Sequence, residues 1–273
     1  MSVKSWTTHK NKIEIIKLMD MRCNCYLVRK GNIALLVDTS ISFESGLLFK
    51  RLEETGVNAL HGVLLTHVHF DHAGNVAKLQ EKYGCPVFVH SSEEAFLREG
   101  STGIPKGSMA LTKIAANIAG DRDLRFPACC NNIFTELTYR LSADPAFKPQ
   151  GDSGSAQTGA DSEQVDSALE EKEPALGRMD LVMSWVGIQV LHTPGHTVGS
   201  VCFIVDDEAA LVGDTMINPF RIELRPPFMD FPDRLIVSWK VLLDTHCRYF
   251  LPAHGTVVGR GLLEDNYTKL FSR

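Results

Sequence analysis

Thr66-His67-Val68-His69-Phe70-Asp71-His72 is the stretch on which the reading of this chain turns. It follows a short apolar run over 62–65 that predicts a buried strand, so three histidines and a carboxylate emerge together from a strand end. Imidazole nitrogen and carboxylate oxygen are the donors that suit zinc or iron. Just past a strand the chain can turn so that His67 and His69 point one way and Asp71 and His72 another. One metal ion could not easily use all four, whereas two neighbouring ions could. The competing reading is a solvated turn with incidental histidines, and the density of the cluster argues against it.

Three later motifs repeat the pattern of strand, turn and polar residue. In His192-Thr193-Pro194-Gly195-His196-Thr197-Val198-Gly199, the Pro-Gly turn would expose His196 at a strand end. His192 lies earlier on the strand and reads as structural. Val212-Gly213-Asp214-Thr215 ends a buried strand with one carboxylate, whose two oxygens could serve two ions. Leu251-Pro252-Ala253-His254-Gly255 adds a further histidine. His9, His61, His90 and His246 have no such context.

Outward from these motifs the chain alternates strand and helix patterns. Strands are predicted over 13–19, 23–28, 33–38, 62–65, 86–89, 181–185, 188–192, 201–205, 210–212 and 249–251, with Lys30-Gly31-Asn32 turning a hairpin. Helices are predicted over 43–54, 73–83, 232–244 and 262–271. Residues 91–141 read as helical, with Ser91, Ser92 and Glu94 as an N-terminal cap and with apolar faces from Met109, Leu111, Ile114, Ile118, Ile133, Leu137 and Leu141. Residues 150–174 are rich in Gly, Ser, Ala, Asp and Glu and contain no aromatic, so they read as a mobile linker. A strand-strand-helix order on each side of this segment suggests two sheets packed face to face with helices outside.

The composition excludes several classes. At 44% hydrophobic and 22% charged the chain is ordinary globular protein. Its net charge of -5 gives no basic footprint for nucleic acid. The acidity belongs to the linker, where residues 150–174 hold seven acidic residues and one lysine. No run approaches the roughly 20 apolar residues of a membrane span, and residues 1–12 lack the apolar core of a signal peptide. Seven cysteines without CxxC spacing read as reduced and mostly buried, which fits a cytoplasmic protein.

Taken in order, HVHFDH, TPGH, GD and PAHG resemble the metallo-β-lactamase fold superfamily, in its two-metal hydrolase branch of glyoxalase II and lactonase-like enzymes. The resemblance covers 13–273 apart from about 100–178. It implies an α/β fold, an αββα four-layer sandwich with the metals at one edge of the two sheets. It implies that His67, His69 and His196 hold one divalent ion and Asp71, His72 and His254 a second, with Asp214 bridging. Zinc is the first expectation, with iron or manganese as alternatives. Asp38, in Val37-Asp38-Thr39, matches the acid that orients a ligand, and Asp71 would also act on the nucleophile. A metal-bridging hydroxide would then attack a small ester, thioester or lactone.

Within that family, Asp214 stands where β-lactamases carry Cys or Ser, and Ile217 stands where lactonases carry Tyr. Too little chain follows His254 for the helical domain of glyoxalase II. The retained His69 and the absence of a basic surface disfavour the flavodiiron and RNA-processing branches. A phosphodiesterase or other phosphoryl hydrolase is the alternative chemistry, and a non-catalytic metal-containing ligand sensor is the alternative class. The expected organisation is a single domain over 1–273, with a helical insertion over 100–178 ending in the acidic linker. That insertion would be a lid or a dimer contact. As a lid, its Met109, Leu111, Phe126 and Phe134 would suggest an apolar acyl or ring-bearing substrate. The expected partner is a small molecule, with no nucleic acid and no membrane, and a homodimer is left open.

Overall fold

The computed structural model describes residues 4–20, 22–103, 107, 124–129, 131, 133–135, 139–140, 179–219 and 221–271. In chain order its first half contains β1 (Lys4–Thr7), β2 (Glu14–Lys17), β3 (Tyr26–Lys30), β4 (Ile33–Val37), α1 (Ser45–Glu54), β5 (Gly62–Leu64), α2 (Phe70–Ala73), α3 (Val76–Tyr83), β6 (Val87–Phe88) and α4 (Glu94–Glu99). Then come β7 (Ser101–Thr102), β8 (Leu124–Arg125), β9 (Ile133–Phe134), β10 (Tyr139–Arg140), α5 (Met179–Val186), β11 (Ile188–His192), β12 (Val201–Val205), β13 (Ala209–Gly213), α6 (Pro232–Leu243), β14 (Tyr249–Pro252), β15 (Val258–Gly259) and α7 (Arg260–Phe271).

Among the described residues one sheet runs β1-β2-β3-β4-β5-β6-β9 and a second runs β10-β11-β12-β13-β14-β15. In the first, β1 to β4 form an antiparallel meander, and β4, β5, β6 and β9 are parallel. Strand periodicity splits each sheet between two cores. In β4, Leu35 and Val37 face the second sheet, where they join Phe203, Leu211 and Leu251. Their neighbours Ala34 and Leu36 face the other way, onto Leu48 and Leu52 of α1 and Leu79 of α3. The second sheet does the same. Phe203 points inward, while Cys202 and Ile204 join Leu235, Trp239 and Leu242 of α6 and Leu263 of α7. Three cores between four layers give the αββα sandwich. A continuously apolar strand such as β4 is what burial on both faces requires. Each large side chain of the middle core, Phe203 for example, stabilises the sandwich by about 1.5–3 kcal/mol.

The structure departs from the sequence reading at four places. The predicted strand over 181–185 is the helix α5, with Val182, Met183 and Val186 packed on one face into the middle core. A short apolar run fits either element by periodicity, and burial on one helical face won. The predicted helix over 73–83 is α2 and α3, divided at Asn75, whose side-chain amide donates to the carbonyls of Thr39 (2.7 Å) and Ile41 (2.8 Å). At residue 91 the side chain of His90, not a serine, accepts from the Ser92 amide at 3.2 Å. Among the described residues of 91–141, those in regular elements after α4 are in strands, and Ile133 lies in β9 beside β6 instead of on a helical face. Met109, Leu111, Ile114, Ile118, Leu137, Leu141 and the acidic linker lie outside the described residues. The six described cysteines are buried free thiols, and no helix among the described residues is long and apolar enough to cross a membrane.

His90, just past β6, stacks on His192 at the end of β11, with ring centroids 4.5 Å apart and planes 12° from parallel. His192 Nε2 donates to the Val198 carbonyl at 2.9 Å. Burial, with His192 beside it, pulls the His90 pKa down to about 4. Its folded pKa lies below the unfolded value near 6.5, so the neutral ring stabilises the fold fully above that value. That contribution is lost as pH falls from about 6.5 towards 4. His90→Gln should therefore lose less stability than the parent over that interval in urea melts. A constant difference between the two proteins across the interval would refute this account.

Candidate active site

The site is built where strand ends of the two sheets meet. Thr66, just past β5, accepts the Val201 amide of β12 through its carbonyl at 2.8 Å, which joins the two sheets at this edge. The Ala253 amide donates to the Gly213 carbonyl at 3.0 Å, and the Asn218 amide to the His254 carbonyl at 2.8 Å. These bonds register the GD and PAHG turns against each other. Two glycines allow the approach. Gly213 has φ +50°, and a Cβ there would lie 2.4 Å from Thr66 Oγ1. Gly255 has φ +95°, and a Cβ there would lie 2.1 Å from the Asn218 carbonyl carbon. Any side chain would push the turns apart.

All seven residues expected from the motifs converge at this edge. His67 Nε2 lies 2.8 Å from His69 Nδ1, which lies 3.0 Å from His196 Nε2. On the other side His254 Nε2 lies 3.3 Å from Asp71 Oδ2, and His72 Nε2 lies 3.9 Å from Asp71 Oδ1. Asp214 stands between the groups. Its Oδ2 is 3.4 Å from His196 Nε2, and its Oδ1 is 3.4 Å from His254 Nε2 and 3.7 Å from His72 Nε2.

Outer hydrogen bonds decide which nitrogens face inward. His196 Nδ1 donates to the Phe228 carbonyl at 2.8 Å. His72 Nδ1 donates to Asp38 Oδ2 at 3.0 Å. The Thr66 hydroxyl donates to Asp38 Oδ2 at 2.9 Å, which leaves its oxygen to accept from His67 Nδ1 at 3.2 Å. The Nε2 atoms of His67, His72 and His196 are thus the nitrogens turned towards the centre. Asp38, expected to orient a ligand, is 2% exposed and also accepts the Thr66 amide at 2.9 Å.

The electrostatics divide the site in two. Burial pushes the His67 and His69 pKa values well below the ordinary range, and the neighbouring imidazoles push the same way. Burial also opposes charge on His72 and His254. At His72 it is outweighed by Cys23, Asp38 and Asp71, and at His254 by Asp214 and Asp71, so both values are raised. Asp71 is held well below the carboxylate range, because His72 and His254 overcome its burial.

Whether this set suits a metal can be judged from the polar atoms themselves. His72 Nε2 and Asp214 Oδ1 are buried without a hydrogen-bond partner. Three nitrogens in the His67, His69 and His196 group approach one another, although at least two have no proton to share. Such groups are costly to bury unless something positive sits among them. Donor atoms in the groups His67-His69-His196, His67-His72-Asp214 and Asp71-His72-His254 lie within 4.8 Å of one another. Cys23, Asp38 and His72 also converge. There, however, burial raises the Cys23 thiol well above its usual range, and His72 Nδ1 is already donated to Asp38.

Several participants carried no signal in the sequence. Glu93, 1% exposed, accepts the amides of Val68 at 3.1 Å and Gly199 at 3.0 Å, tying the first histidine motif to the second. Asn24 and Tyr26 both donate to the Pro252 carbonyl, at 2.7 and 2.9 Å, and fix the strand end that precedes His254. A cavity of about 410 Å³ opens above these histidine and aspartate donor atoms, lined among the described residues by Phe70, Leu124, Ile217, Pro226, Pro227 and Phe228 besides the polar groups. Phe126 is buried in the core beside Leu97, and Phe134 packs against the middle core, so neither faces substrate.

Residues 18–258 match the metallo-beta-lactamase superfamily. The chain belongs to this superfamily. It is 30% identical over 251 residues to a probable metallo-hydrolase of Methanocaldococcus jannaschii, covering 91% of this chain and 94% of that one. It is 33% identical over 103 residues to a hydroxyacylglutathione hydrolase of Bradyrhizobium sp., covering 38% of this chain and 37% of that one. A solved metallo-beta-lactamase superfamily protein from Sulfolobus tokodaii shares the fold, with a TM-score of 0.55 at 16% identity over 96% of this chain and 86% of that one. The four-layer sandwich is therefore that of a metal-binding hydrolase family.

Glu93→Ala should cost about 2–6 kcal/mol, because it leaves two buried amides without an acceptor at about 1–3 kcal/mol each. Urea denaturation measures it. A loss under about 0.5 kcal/mol would show that Glu93 does not hold the two motifs together.

Proposed function

We propose that this hydrolase binds two divalent metal ions, zinc in the first place, and cleaves a small ester, thioester or lactone. The observation that carries the reading is the pair of inward-facing donor groups with Asp214 between them, each of its oxygens turned to a different group. His67, His69 and His196 would hold one ion and Asp71, His72 and His254 the other. Bound there, such ions lower the pKa of water and polarise a scissile carbonyl.

The remaining work falls to the chain. Asp38 holds the rings of His72 and, through Thr66, His67. The Phe228 carbonyl holds His196. Outer bonds of this kind fix tautomer and ring orientation together. Asp71 borders the cavity with a side chain 18% exposed, against 10% for Asp214. It would orient the attacking water from the cavity side. The apolar side chains above exclude bulk water from the reacting carbonyl.

Elemental analysis of metal-replete protein should give about two transition-metal ions per chain, and iron or manganese in place of zinc would change the metal and not the site. Asp214→Ala should lose metal and hydrolysis of a p-nitrophenyl ester together. Asp38→Asn should weaken metal binding by about 10–100-fold while leaving every ligand in place. Full activity in Asp214→Ala, or no metal in the parent, would refute the two-metal reading.

A further inference from the structure

Besides its polar floor, the active-site cavity has an apolar wall that, among the described residues, is made by Phe70, Leu124, Ile217, Pro226, Pro227 and Phe228. We infer that this wall makes the enzyme selective for substrates whose acyl group is uncharged and apolar, with Ile217 and Phe228 as specificity-determining residues. The inference rests on the metallo-hydrolase reading above and names the substrate class of the same site.

The first argument is chemical. Among the described lining residues the ionisable groups are His69, Asp71, His196, Asp214 and His254, all on the floor. The described wall residues contribute no lysine, arginine or hydroxyl. A carboxylate on the acyl chain would be stripped of water against Phe, Ile and Pro with nothing to pair it. An alkyl or aryl group there would be driven in by its own dehydration.

The second argument is positional. Phe70 lies between two floor residues, His69 and Asp71, and is 37% exposed within a motif that is otherwise nearly buried. Core packing does not account for it. Ile217 follows Asp214 by three residues and is held by its amide, which donates to the Leu224 carbonyl at 2.9 Å. The carbonyl of Phe228 accepts from His196 Nδ1, and the amides of Asp230 and Phe231 donate to the carbonyls of His196 and Gly195 at 3.1 and 2.8 Å. The segment that forms the wall therefore also orients a floor histidine, which fixes the distance from reacting carbonyl to apolar surface. Gly107 forms a bridge with Phe228, and Leu124 lines the cavity beside it. The volume of about 410 Å³ lies in the range of small-molecule sites, roughly 300–1,000 Å³.

The test uses metal-replete full-length chain with p-nitrophenyl acetate, butanoate and hexanoate, and with mono-p-nitrophenyl adipate as the anionic match of the hexanoate. For each methylene that reaches the wall, kcat/KM should rise by about fourfold. The adipate should fall below the hexanoate by about tenfold or more. Ile217→Ser should flatten the dependence on chain length. Equal rates for hexanoate and adipate, or no dependence on length in the parent, would overturn the inference while leaving the metal site standing. A second readout does not need turnover. The neutral dye prodan should bind the chain with a blue shift, with or without metal, and be displaced by hexanamide and not by adipic acid monoamide. If no ester is cleaved and no metal is found, the proposed function falls. The dye then decides the wall by itself: no binding, or equal displacement by both amides, overturns it.

Discussion

The carboxylate of Asp38 is the fixed point of this molecule. It lies at the end of β4 at φ +57°, 2% exposed, a conformation and a burial that both cost free energy. What offsets them is full use of its oxygens. It accepts the Thr66 amide, the Thr66 hydroxyl and His72 Nδ1. Through Thr66 it also sets the direction of His67. One buried charge thus orients a histidine in each donor group. Because Thr66 also meets the Val201 amide and crowds the Cβ position of Gly213, the same contacts fix how the second sheet approaches the first.

Glu93 plays the complementary part from the opposite side. Asp38 holds imidazoles, whereas Glu93 holds backbone, taking amides from the loops that carry His69 and His196. Burial raises the Glu93 pKa, and the hydrogen bonds from Thr197, Val68 and Gly199 pull it back without fully cancelling that rise. Between the two acids the histidine turns are set before any ion arrives, which lowers the ordering cost of binding one.

The polar residues of the site were legible in the sequence because each sits immediately after an apolar strand, where local pattern and chemistry coincide. The two-sheet sandwich was legible for the same reason, since β4, β12 and β13 are apolar throughout. Misreadings arose where local pattern carries little information. The run over 181–185 is too short to distinguish helix from strand, and only contact with the middle core makes it α5. Ile133 and Phe134 form a strand because β6 offers them an edge, which no local pattern states. Glu93 is an ordinary glutamate in a helical-looking stretch, and its role exists only once Val68 and Gly199 are brought to it. The sequence points to the middle of the chain for an apolar wall. The structure draws most of it from 217–228, a stretch without periodicity.

That relocation bears on how such a site can vary. The floor is over-determined: each donor is fixed by a strand end, a glycine turn and an outer hydrogen bond, so changing one disturbs several. The wall is held mainly by backbone bonds, through the amide of Ile217 and the carbonyl of Phe228. Its side chains can therefore change without moving the histidine that the same segment orients. A fold so arranged separates the polar donors of the floor from the apolar side chains of the wall, although both lie on the same short loops. The wall can then change by substitution at Ile217, Phe228 or Phe70 while the geometry of the donor atoms stays under the control of Asp38 and Glu93.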